Sequence, residues 1–73
     1  MHVTLDDGAV VALSRAAAED VYDLMWMLAP TQGAVTTAAK LHQALKHALL
    51  GRAIELDAAE SRVFSEARER LAV

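Results

Sequence analysis

Stretches of strict alternation and stretches of three- and four-residue apolar spacing divide this chain into predicted strands and helices. Val3-Thr4-Leu5 and residues 9–13 flank Asp6-Asp7-Gly8, a strong hairpin signal. The facing of the side chains selects the loop length. A two-residue Asp7-Gly8 loop would pair Leu5 with Val10 and set Val11 and Leu13 on the opposite face from Val3 and Leu5. A three-residue loop pairs Leu5 with Ala9 and Val3 with Val11, so that Val3, Leu5, Ala9, Val11 and Leu13 share one face. The pattern therefore predicts the three-residue loop, with Gly8 left-handed and closing a bulge.

Helical spacing begins after Ser14, a suitable N-cap for a helix over residues 15–29. Ala17, Val21, Leu24 and Leu28 form its apolar stripe. Glu19, Asp20 and Asp23 place negative charge in its first half, where the helix dipole favours it. Pro30 ends it, and Thr31-Gln32-Gly33 reads as a turn. A second helix is predicted over residues 34–50, with Ala38, Leu41, Leu45 and Ala48 as its stripe, Val35 and Leu49 beside it, and Gly51 as its stop. The short connection makes the two helices antiparallel neighbours. Residues 53–56 read as a third strand with Ile54 and Leu56 on one face. Asp57 and Glu60 then form a capping box. The last helix carries Val63, Phe64, Ala67 and Leu71 inward, and Glu60, Arg62, Glu66, Arg68 and Glu69 outward.

The order is β-β-α-α-β-α, and the fold class is α+β: a single domain, 1–73, with a small, mostly antiparallel three-stranded sheet packed against three helices. The predicted core is Val3, Leu5, Val11, Leu13, Val21, Leu24, Leu28, Leu41, Leu45, Leu49, Ile54, Leu56, Val63, Phe64 and Leu71. The third strand could border either hairpin strand or pair with a second chain at an edge. Residues 9–22 and 52–64 echo one another, with Leu13-Ser14 matching Leu56-Asp57. A strand entering a capped helix generates most of that likeness without a duplication.

Size and composition add a partner to this picture. A 73-residue chain buries a limited core. It has no cysteine, so neither a disulfide nor a thiolate-bound metal can brace it. Its 55% hydrophobic content is high for a polar-coated monomer and favours a second chain sharing the core. The longest apolar block, residues 24–30, is far short of the roughly 20 residues a bilayer requires, so no membrane span is expected. The N-terminus lacks a basic region followed by an apolar one, and a cytoplasmic location is expected. A net charge of −3 argues against binding nucleic acid or anionic membranes by bulk electrostatics. Alanine is abundant and Arg outnumbers Lys, as in many GC-rich bacterial proteins.

Residues capable of chemistry are present but not arranged for it. His42 and His47 are five apart on one helix and point to different faces, without the four-residue spacing of a helical zinc site. Asp6 and Asp7 precede Gly8, where turn chemistry explains them. Ser14 and Ser61 belong to no nucleophile motif, and Gly8, Gly33 and Gly51 are isolated, so no phosphate-cradling loop is formed. The sequence assigns no catalytic, cofactor or metal-binding residue, and the expectation is a protein that is not an enzyme.

Two surfaces remain. The end of the first helix holds Met25-Trp26-Met27-Leu28, four consecutive apolar residues that point all around the helix. One stripe can face the chain's own core, and a helix apolar all round is normally buried all round. Tyr22, Met25, Trp26 and Met27 are the predicted interface, since Trp, Tyr and Met are enriched where proteins meet. The leading functional expectation is a non-catalytic protein–protein interaction module (an adaptor, regulator or accessory subunit) that forms a homodimer or binds another protein through this helix end. The second surface is the acid-free second helix, where Lys40 and Lys46, followed by Arg52, could lie along phosphate. The alternative expectation is thus a small nucleic-acid-associated regulator. Three cations without interleaved aromatics are few for a phosphate track.

Overall fold

The computed structural model describes residues 1–27, 31–47 and 53–72. Strands β1 (His2–Thr4) and β2 (Val10–Ala12) form the hairpin that side-chain alternation selects. Val3 lies opposite Val11 in an antiparallel register. The Leu5 N–H donates to the Ala9 carbonyl at 2.8 Å and the Gly8 N–H to the Leu5 carbonyl at 3.0 Å, which closes the three-residue loop. Gly8 has φ +89°, the left-handed conformation that closure requires and that a side chain would oppose. The Asp7 carboxylate accepts from the Ala9 N–H at 2.9 Å, so its role is turn chemistry.

Helix α1 (Arg15–Met27) starts where Ser14 Oγ accepts from the Ala17 N–H at 3.1 Å. Helix α2 (Gln32–Lys46) starts two residues before the predicted position. Thr31 is its N-cap, with Oγ1 accepting from the Ala34 N–H at 3.1 Å, so Gln32 and Gly33 are helical rather than a turn. Gly33 is there for packing: a Cβ at this position would lie 3.1 Å from both the backbone carbon and the oxygen of Ala59. Helix α2 closes at a His47 C-cap, whose N–H donates to the Gln43 carbonyl, short of the predicted end at residue 50; the predicted end of α1, with Pro30, and the predicted stop at Gly51 lie outside the described residues.

Strand β3 (Ala53–Glu55) pairs with β1, and the strand order is β2-β1-β3. It runs parallel to β1, with Val3 opposite Ile54. The sheet is therefore mixed, not mostly antiparallel. A long connection through two helices allows either strand direction, so strand patterning leaves this choice open. Helix α3 (Ala58–Leu71) opens on the predicted capping box: Asp57 Oδ1 accepts from the Glu60 N–H at 2.8 Å, and Glu60 Oε1 accepts from the Asp57 N–H at 3.0 Å.

Residues from every element meet in one core. Val3, Val21, Leu41, Leu56 and Phe64 are buried as predicted, with Leu5, Val11, Leu13, Leu24, Ile54 and Val63 packed against them. Ala18, Ala34, Ala38, Ala44 and Ala67 are also buried. Small residues at these positions let the helices approach closely. Leu45 is half-buried. Leu71 departs from the prediction and is 45% exposed, in the last turn of α3. There it lines an open cleft of about 340 Å³ with Leu13, Ala17 and Val21 instead of filling it. Leu28 and Leu49 lie outside the described residues. On the other face of the sheet, His2, Val10, Ala12, Ala53 and Glu55 are exposed.

Candidate protein-interaction surface

The inward face of α1 is Ala18, Val21 and Met25, spaced three and four residues apart. The sequence stripe Ala17-Val21-Leu24-Leu28 has the same spacing, and the helix is rotated by about one residue relative to it. Met25, read from the sequence as part of the interface, faces inward instead. It is 2% exposed and belongs to the core. One of several consecutive apolar residues must face inward, and periodicity alone does not say which.

The same rotation turns Trp26 and Met27 outward, at 59% and 79% exposure. Tyr22, one turn before Trp26, is half-buried and joins two aromatic contacts. Its ring meets Trp26 edge-on, with centroids 6.0 Å apart and planes at 84°. It also stacks on His42 of α2 at 5.6 Å and 29°. Both geometries are favourable for aromatic pairs. Tyr22, Trp26 and His42 thus form a continuous aromatic surface across α1 and α2, while Met27 points about 100° further around α1, toward the side of Asp20 and Asp23. His42, read from sequence only as a solvated histidine, is a member of this surface. Its contact crosses between helices, so no local pattern reports it. His47 is the exposed C-cap of α2, and His2 lies on the open face of the sheet.

The second helix uses one of its cations structurally. Lys40 Nζ donates to Glu60 Oε1 at 2.7 Å and to the Glu55 carbonyl at 2.8 Å. This ties α2 to α3 and to the end of β3. Glu60, predicted to face solvent, is 2% exposed. Its place in the capping box turns the carboxylate back over the helix N-terminus, under Lys40. Burial pushes the Glu60 carboxyl up, but the Asp57 N–H and the Lys40 ammonium together hold it below the ordinary carboxylate value. Lys46 is exposed, and Arg52 lies outside the described residues. Among the described residues, the proposed phosphate track therefore reduces to Lys46, since Lys40 already faces a carboxylate.

No group of three His, Cys, Asp or Glu side chains converges as a metal site among the described residues. The cleft between α1 and α3 is lined by apolar side chains, with Asp20 and Arg68 at its margin. Trp26 and Met27 remain the largest apolar side chains left to solvent on α1. A scan of protein-family models, a search of curated proteins and a search of solved structures each return no match to this chain.

Proposed function

We propose that this protein is a small non-catalytic interaction module, an adaptor, regulator or accessory subunit, that works as a homodimer and docks a protein partner through the exposed end of α1. The observation that carries the docking surface is the Tyr22–Trp26–His42 aromatic cluster, on a helix end that also leaves Met27 exposed. Large apolar side chains left in water are unfavourable by about 25 cal/mol for each Å² that could be buried. Trp, Tyr and Met are the side chains that concentrate binding energy where proteins meet. Tyr22 is braced on both sides, so the surface is preformed and loses little rotamer freedom on binding.

The test is native purification followed by mass measurement of the intact assembly. The expected result is an assembly heavier than the 7.8 kDa chain, with a bound partner that the Trp26→Ala, Met27→Ala double variant loses while keeping its helical circular dichroism. A single chain at every concentration, with Trp26 emitting as a solvated indole, overturns the reading.

A further inference from the structure

The hairpin leaves one sheet edge open in a way that fits a second copy of this chain. In an antiparallel ladder, pairs that exchange hydrogen bonds alternate with pairs that do not. Met1 and Leu13 exchange both bonds, at 3.0 and 2.8 Å, and Leu5 donates to Ala9 at 2.8 Å. The alternation makes Val3 and Val11 the bonded pair between them. It turns the backbone groups of His2 and Thr4 toward β3, consistent with the Leu56 N–H donating to the Thr4 carbonyl at 2.9 Å. It turns the N–H and C=O groups of Val10 and Ala12 the other way, to the free edge of β2. Among the described residues nothing pairs with them.

The two edges of the sheet are treated differently. On β3, Glu55 puts a charge at the edge, and its carbonyl is taken by Lys40 Nζ. A charge and a covering side chain are usual devices against edge pairing. Along Val10-Val11-Ala12 there is no charge, no proline and no covering side chain among the described residues. Val10 is 60% exposed there.

We propose that a second copy pairs antiparallel along this edge, about a twofold axis at Val11. This deepens the homodimer part of the reading above by naming where the two copies meet, and it leaves the α1 surface free for a different protein. The twofold pairs Val10 of each copy with Ala12 of the other. Both residues present outward backbone groups, so each pair exchanges two bonds, and the two three-stranded sheets become one continuous sheet. The register is self-complementary, as a twofold interface requires. It is also favoured by charge, because the edge has Asp6 and Asp7 before it and Arg15 after it. Antiparallel pairing brings the acidic end of one copy toward the Arg15 end of the other. Arg15 is exposed and holds only an exposed ion pair with Glu19 at 3.3 Å, which leaves it available. On the open face, Val10 gains Ala12 of the partner copy as a neighbour.

Sedimentation equilibrium over a concentration series tests this, with amide exchange read at Val10 and Ala12. Val10→Pro deletes an outward N–H and no internal hydrogen bond, so the monomer keeps its hairpin. Val10→Thr keeps the N–H and serves as the control. The expected result is a dimer whose dissociation constant rises at least about tenfold in Val10→Pro and changes little in Val10→Thr or Trp26→Ala. In the unsubstituted protein, the Val10 and Ala12 amides should slow with rising concentration. That measurement decides the matter even if Val10→Pro fails to fold. A monomer at millimolar concentration, a dimer broken by Trp26→Ala and not by Val10→Pro, or Val10 and Ala12 amides indifferent to concentration each overturn the proposal. The second of these outcomes leaves the α1 interaction reading standing. Edge pairing that persists when the double variant at Trp26 and Met27 still holds its partner overturns the α1 reading alone.

Discussion

Removing the Glu60 carboxylate should reveal how far one ion pair holds three elements together. Glu60→Ala deletes the bond to the Asp57 N–H at 3.0 Å and the bond from Lys40 at 2.7 Å. Losing half of a capping box costs about 1 kcal/mol. The charge-assisted bond is worth about 1.5–3 kcal/mol when both partners are buried. Here the Lys40 side chain is 41% exposed and can rehydrate, while Glu60 is at 3%. The lower part of that range therefore applies, and relief of the desolvated carboxylate offsets a little more. A total of about 2 kcal/mol follows. At the usual stability per residue, 73 residues supply roughly 4–11 kcal/mol, so the loss is large, and Tm should fall by about 8–16 °C. Urea melts at one low, fixed protein concentration measure it without interference from self-association. A double-mutant cycle with Lys40→Met isolates the pair, with an expected coupling of about 1 kcal/mol. The pH dependence gives an independent check. Because the folded Glu60 value lies below the ordinary 4.5, its stabilisation is fully present above that value and is lost as pH falls through the folded value. Glu60→Gln should therefore lose less stability than the unsubstituted protein as pH falls below about 4.5. A Glu60→Ala effect under about 0.5 kcal/mol, or unchanged acid sensitivity in Glu60→Gln, refutes the reasoning.

Two further substitutions probe contacts that hold the elements in place. Gly33→Ala gains about 1 kcal/mol of helix propensity but sets a Cβ 3.1 Å from the Ala59 backbone, which the α3 cap holds in place; a net destabilisation of about 1 kcal/mol is expected in chemical denaturation, and a stabilised variant would show that α3 yields there. Ser61→Ala leaves the Asp6 N–H without the Ser61 Oγ acceptor it meets at 2.9 Å, so a loss of about 1 kcal/mol is expected, together with faster exchange of the Asp6 amide.

The aromatic surface on α1 was half legible before the structure. Tyr22 and Trp26 are one turn apart in sequence, so their contact follows from helix geometry. Met27 was equally accessible to periodicity. His42 was not, because its stacking on Tyr22 depends on how α2 is rotated against α1. The inward turn of Met25 is hidden from sequence for the same reason: stripes starting at Ala17 or at Ala18 obey the same spacing, and only packing selects between them. The buried alanines of α2 and α3 carry too little apolar weight to mark a face, although they set how closely the helices approach.

Local grammar is readable along the chain: the element order, the three-residue hairpin loop with left-handed Gly8, the Ser14 cap and the Asp57–Glu60 capping box. Each of these is fixed by side chains and backbone groups within a few residues of one another, where turn geometry and period-two alternation leave one solution. Packing between elements sets the parallel course of β3 beside β1, the rotation of α1 that buries Met25 and exposes Trp26, the inward turn of Glu60 under Lys40, and which sheet edge is covered. These are set by contacts between segments far apart in the chain. Their energies depend on the close packing of several elements at once, and no local pattern encodes that.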